Sequence, residues 1–309
     1  MSTATQPLSL PRAGLVVRDY AELVKARVTT LIVMTAWTGY YFGAYKLGVS
    51  SLSWTLFHAL LGIGMVSGGT AALNEVIERD SDALMRRTAI RPLPSKRMAV
   101  WQATAIALFL IVGGSAYLAL TTNLLTGALT LATSVVYLAA YTPLKKVSTL
   151  CTFIGAFPGA MPPVLGWTAI RGQLDWEALV LFGIVFFWQF PHFYSIAWLY
   201  REDYQAASIR MLPAVERTGK ATGREIVMYS LALIPVSMAP SFFGMSGRVY
   251  LWGALVLGLA MLWCGLRLAT FKKPIESGPS KQRARQLLQA TVFYLPLLFA
   301  LMMLNVAVS

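Results

Sequence analysis

The chain has 309 residues, 57% of them hydrophobic and only 13% charged, with a mean hydropathy of +0.61. A soluble globular domain carries about 25% charged residues, so the composition excludes one and predicts an all-α polytopic protein embedded in the lipid bilayer. The net charge of +13 would suggest nucleic acid in a soluble chain; in a membrane protein it marks loops held on the cytoplasmic side, and no nucleic-acid partner is expected.

Residues 1–27 mix Asp19 and Glu22 with basic residues and lack an apolar core. They read as a cytoplasmic N-terminal segment without a cleaved signal. A single transmembrane domain is expected over 28–308. Within it, apolar runs long enough to cross a bilayer fall near 28–46, 54–78, 99–119, 124–142, 149–170, 177–200, 225–245, 249–270 and 288–308, which predicts about nine helices. The loops alternate in charge as such a path requires: 23 of the 26 basic residues lie on the side of the N-terminus, and only Lys46, Arg171 and Arg248 on the other. That asymmetry predicts a cytoplasmic N-terminus and an external C-terminus; residence in a bacterial inner membrane is expected alongside. The 272–287 stretch reads as a solvated, linker-like loop.

Span two carries Gly64, Gly68, Gly69, Ala71 and Ala72, and span five carries Gly155, Pro158, Gly159, Pro162 and Pro163. Small residues let helices approach and prolines bend them, so these spans either pack tightly or open around a cavity. Cys151 and Cys264 lie apart in apolar runs, with neither a disulfide framework nor a zinc pattern.

Span two ends in Asn74-Glu75-Val76-Ile77-Glu78-Arg79-Asp80-Ser81-Asp82. Asn74, Glu78 and Asp82 are spaced i, i+4, i+8, so on a helix they form one wall of oxygen-bearing side chains. Carboxylates at a helix C-terminus oppose the macrodipole; a bound Mg²⁺ reverses both that term and their mutual repulsion, and it shares its shell with phosphate oxygens. Arg86, Arg87 and Arg91 follow closely, and arginine forks match phosphate. The pattern predicts a diphosphate held between Mg²⁺ and arginine. Lys145 and Lys146, after span four, lie on the same side and are candidates to share in it.

Span six ends in Trp188-Gln189-Phe190-Pro191-His192-Phe193-Tyr194, followed by Tyr200-Arg201-Glu202-Asp203-Tyr204 and Arg210-Met211-Leu212-Pro213. The order of acids, arginine and Leu-Pro echoes the loop after span two. It predicts a facing wall, with Glu202 and Asp203 as further metal candidates and Arg201 and Arg210 as further diphosphate contacts. His192 is one of two histidines and sits about 12 Å in from Tyr200 at 1.5 Å per residue. Its imidazole is either an iron ligand or a partner for a backbone carbonyl freed by Pro191.

The run NEVIERDSDALMRRTAIRPL at 74–93 resembles the signature of the UbiA-type intramembrane prenyltransferase superfamily. TPLKK at 142–146, WQFPHFYSIAWLYREDY at 188–204 and RMLP at 210–213 are similar to its haem-farnesylating branch. The resemblance implies a nine-helix bundle with a lateral opening to lipid and a cytoplasmic polar cap, in which Mg²⁺ assists ionisation of farnesyl diphosphate. The farnesyl group then adds to a vinyl group of haem b, and water completes the side chain of haem O. It further implies Asn74, Glu78 and Asp82 at metal positions, Arg87 and Arg91 on diphosphate with Arg86 beside them, and Glu78, Asp82 and Arg87 as the catalytic set. His192, Trp188 and Tyr194 are the candidates for contact with haem, and haem A synthase or a terminal oxidase assembly for partnership. The second signature departs from the DxxxD common among relatives, since Glu202 and Asp203 are adjacent, so either can carry metal. Two alternatives stay open: a prenyltransferase acting on an aromatic quinone precursor, and a transporter.

Overall fold

The computed structural model describes residues 12–307; residues 1–11 of the expected N-terminal segment and 308–309 lie outside the described residues. Among the described residues the chain is helical throughout, and its only strand-like pairing is one bridge between Ser246 and Val306. A short helix α1 (Arg12–Leu23) leads into α2 (Ala26–Leu47). Eight helices then qualify as spans by length and hydropathy: α3 (Trp54–Asp82), α4 (Val100–Thr121), α5 (Leu124–Leu144), α6 (Cys151–Arg171), α7 (Trp176–Leu199), α10 (Lys220–Phe242), α11 (Arg248–Ala269) and α12 (Gly278–Leu304). With 22 residues, α2 is also long enough to cross at 1.5 Å per residue. The protein is an integral membrane protein of about nine spans. Two short helices, α8 (Arg201–Ala206) and α9 (Leu212–Val215), lie between α7 and α10.

One boundary departs clearly from expectation. Residues 278–287, expected to be a solvated loop, form the first turns of α12. Ser277 accepts from the Ser280 amide at 3.3 Å as an N-cap, Pro279 occupies the first turn, and Ser280, Ala284 and Leu287 are buried. The charges of Lys281, Arg283 and Arg285 hid a capping signal already present in the sequence.

The small residues serve close packing. Where α2 crosses α6, a Cβ on Gly39 would collide with the Pro163 carbonyl, and one on Gly166 with the Ala36 carbonyl. Pro158, Pro162 and Pro163 divide α6 around Met161, because proline cannot donate to the preceding turn. Overpacking costs about 1–3 kcal/mol, so Gly166→Ala is expected to lower the melting temperature of the purified protein. Gly278→Ala, whose Cβ meets open space, is the control that leaves it unchanged.

Contacts near the helix ends sort into the two sides that the charge pattern separates. On one side Lys46 pairs with Glu177 at 2.7 Å and the Tyr45 hydroxyl donates to the Ala307 carbonyl. On the other, Arg97 binds Asp19 and Glu22 of α1 and Lys281 binds Glu202. No described ion pair joins a residue of one group to the other.

Candidate active site

The last two and a half turns of α3, Asn74 to Asp82, carry the wall, as the spacing predicts, and each of its three members meets a cation from a different part of the chain. Lys25, between α1 and α2, donates to Asn74 Oδ1 at 3.0 Å. Lys145, just past α5, donates to both Glu78 oxygens at 2.8 and 3.0 Å. Arg91, in the loop after α3, donates to Asp82 Oδ2 at 2.7 Å. Asn74 and Asp82 are buried. Unpaired carboxylates at this depth would be costly, so Lys145 and Arg91 explain how Glu78 and Asp82 persist.

Local structure aims these groups. In α5 the backbone widens into a π-helical turn over Val136–Tyr141, followed by Thr142-Pro143. The Thr142 hydroxyl donates to the Tyr137 carbonyl at 3.0 Å and so can only accept from Asn74 Nδ2 at 3.2 Å. That bond fixes the amide with Oδ1 toward Lys25. The Lys145 ammonium lies 4.5 Å from the centre of the Tyr141 ring, and the Lys145 carbonyl accepts from the Arg210 amide at 2.7 Å, which binds the end of α5 to the loop after α8. Lys25 takes a left-handed backbone, φ 47°. Burial of its ammonium, with the charges of Arg91 and Lys145 close by, lowers its pKa to about 8.

The second loop meets the first through Arg87. Its guanidinium donates to the Tyr204 hydroxyl at 3.2 Å and lies 5.1 and 5.7 Å from the ring centres of Tyr200 and Tyr204. Beneath it Met85, Cys151, Ile209 and Met211 form an apolar cluster bordered by Tyr141, Phe193 and Tyr204. Arg86, Lys146 and the Arg210 side chain are exposed on the same side.

Three expected residues are turned elsewhere. Arg201 is buried, donates to the Glu216 carbonyl at 2.8 Å and pairs with Glu276, so it braces α8 against later loops and does not reach toward the wall. Glu202 pairs with Lys281 at 2.7 Å, a bond that holds its carboxyl below the usual range; on α8 it lies about 200° around from Tyr204, whose hydroxyl meets Arg87. Tyr194 is two residues from His192, about 200° around a helix, and packs in the core against Phe190. Trp188 and His192 do come together, stacked with centroids 4.6 Å apart. The His192 ring bonds Thr291 of α12, not the carbonyl freed by Pro191. The other histidine, His58, bonds the Tyr117 hydroxyl between α3 and α4.

The profile of the UbiA prenyltransferase family matches residues 32–285. The chain belongs to the UbiA prenyltransferase family. Among curated relatives, a protoheme IX farnesyltransferase of Koribacter versatilis is 63% identical over 307 residues, covering 99% of both chains. One of Solibacter usitatus is 47% identical over 93% of this chain and 98% of its own. A solved structure described as digeranylgeranylglyceryl phosphate synthase shares the fold with a TM-score of 0.71 at 15% identity, covering 94% of this chain and 98% of its own. A UbiA homologue from Archaeoglobus fulgidus, bound to DMAPP and Mg²⁺, gives 0.61 at 14% identity over 92% and 99%. At such identities these two likenesses concern the fold alone.

Within this UbiA-family site, sequence reasoning missed Lys25, Glu75 and Thr142. Lys25 is one of many basic residues on its side, and nothing local singles it out. Glu75 is fully buried and its Oε1 accepts the Leu93 amide at 3.2 Å, tying the Arg91–Pro94 loop to α3. A carboxylate beside Asn74 but off the wall was visible in the sequence; its partner, 18 residues on, was not.

Proposed function

We propose that this UbiA-family enzyme transfers the farnesyl group of farnesyl diphosphate to a vinyl group of haem b, releasing diphosphate, with water then supplying the hydroxyl and losing a proton to complete haem O. The observation that carries the reading is the wall of Asn74, Glu78 and Asp82 with a separate cation on each member. The family and the curated relatives' activity support the choice of substrates.

The donor set suits Mg²⁺ only in company with substrate. Among the described residues no three His, Cys, Asp or Glu side chains converge to hold an ion by themselves; the wall offers one amide and two carboxylates, and Mg²⁺ normally completes its shell with phosphate oxygens. Asn74, Glu78 and Asp82 would hold the ion, with Asp203 in preference to Glu202 from the second loop. A metal ion held by these residues would supply the positive charge that offsets the charge growing on the leaving diphosphate. Lys25, Lys145 and Arg91, engaged with the wall by themselves, are placed to turn to diphosphate oxygens when the wall takes up a metal. Arg87, with Arg86, Lys146 and Arg210 around it, closes the anion from the outer edge of the cap. Such fixed donors act most strongly where charge develops during ionisation. Phe193 and the Tyr141 ring bound the apolar side, where ring faces favour the allylic cation and exclude water until addition is complete. His192 and Trp188 meet the haem.

The N-terminus and the cap are on the cytoplasmic side of a bacterial inner membrane, with residues 28–308 as the catalytic domain. Haem A synthase or a terminal oxidase assembly receives the product. Membranes containing the chain, incubated with Mg²⁺, farnesyl diphosphate and either haem b or a 4-hydroxybenzoate-type acceptor, are expected to yield a farnesylated haem by mass spectrometry. A prenylated benzoate without farnesylated haem would refute the assignment.

Lys25 gives the site a pH signature. Diphosphate favours the protonated ammonium, whose pKa in the free site is lowered to about 8. Affinity for a non-ionising farnesyl diphosphate analogue is therefore independent of this group below that pH. Above it, binding weakens by about tenfold per unit, as uptake of one proton requires. Calorimetry on the wild type and on Lys25→Met checks this: the variant binds more weakly below about pH 8 and loses the slope above it.

A further inference from the structure

The environment of His192 determines which of its nitrogens is free. Nδ1 lies 2.9 Å from Thr291 Oγ1. A hydroxyl has one proton, and Thr291 gives its own to the Leu288 carbonyl at 2.7 Å, so toward the imidazole Oγ1 can only accept. The bond then requires the proton of a neutral ring on Nδ1 and leaves the lone pair on Nε2. Trp188 fixes the ring from one face, with 20° between the two planes, and its indole N–H donates to the Thr291 carbonyl at 2.8 Å. Thr291 itself is fully buried. One residue of α12 thereby anchors both aromatic side chains of α7 and dictates the protonation pattern of the imidazole.

We infer that Thr291 is a positioning residue that sets the His192 tautomer, so that Nε2 is presented as an axial ligand to the iron of haem b. The inference rests on the proposal that His192 meets haem. Metal-ligating histidines have the remote N–H held by an acceptor, and removing that acceptor weakens metal binding about ten- to hundredfold.

The chain has only two histidines, His58 and His192, so ¹⁵N-histidine labelling of the full-length, haem-free protein in detergent reads the tautomer directly, with His58→Asn to assign the signals. The expected result is a proton on Nδ1 of His192; a proton on Nε2 overturns the inference. Titration with ferric haem b, followed at the Soret band, is the second arm. Thr291→Val is expected to weaken binding about ten- to hundredfold, and Thr291→Ser, which keeps the hydroxyl, to restore near wild-type affinity. Both are expected to bind the farnesyl diphosphate analogue as the wild type does. If His192→Ala changes the haem spectrum while Thr291→Val binds haem normally, the positioning role fails and the haem contact stands. If His192→Ala leaves the spectrum unchanged, the haem contact itself fails. Should Thr291→Val also lose analogue binding, the labelling result decides.

Discussion

Asp82→Asn and Glu78→Gln are each expected to lower farnesyl transfer by at least about a thousandfold, with the chain still inserted and folded. Removing one group that stabilises charge in a transition state costs about 10²–10³ in rate, and here the lost charge also holds the metal. The substitutions preserve shape. The amide oxygen introduced by Asp82→Asn would still accept from Arg91, whose bond to the native carboxylate is 2.7 Å. The one introduced by Glu78→Gln would still accept from Lys145, although the shielded ammonium then lacks its counter-charge, so the melting temperature is expected to fall without loss of the fold. Folding is checked by melting temperature and haem b binding, and turnover by mass spectrometry of haem products. Wild-type enzyme freed of Mg²⁺ is expected to fall to the same residual rate. Full turnover in either variant, or in the chelated wild type, would overturn the metal assignment.

Lys145→Met separates what the lysine does for the fold from what it does for the reaction. Its ion pair with Glu78 is well shielded, with side chains 13% and 12% exposed, and removing one partner of a buried pair costs about 3–5 kcal/mol. The single variant is therefore expected to lose both stability and activity. Lys145→Met combined with Glu78→Gln leaves no uncompensated charge, so stability is expected to return while turnover stays abolished. Denaturation midpoints of the wild type, both single variants and the double variant give the coupling. A double variant as unstable as Lys145→Met alone would show that the pair is not what stabilises this corner.

The wall was legible because its information is local: Asn74, Glu78 and Asp82 share a face by helical period alone. The spans were legible because hydropathy over about twenty residues fixes them. The partners of the wall were not, since Lys25 and Lys145 are 49 and 67 residues from the groups they bind and look like any other basic residue near a membrane edge. Arg201 and Glu202 were misread for a different reason. In a six-residue helix the sequence does not say which face turns inward, and here Glu276 of the loop before α12 and Lys281 of α12 itself claim the two side chains. Tyr194 could have been excluded beforehand from its angle to His192. Thr291 could not, being 99 residues away with no charge or motif to mark it.

Position 25 sets a limit on how far this protein can be improved by evolution or design. A left-handed backbone costs a residue with a Cβ about 1–2 kcal/mol, and Lys25 holds it at φ 47°. Glycine would relieve that cost and remove the ammonium from Asn74. Selection for heat resistance alone is therefore expected to favour Lys25→Gly and to return a sturdier, slower enzyme, so a thermostabilisation library scored by survival and one scored by haem O output should diverge at this codon.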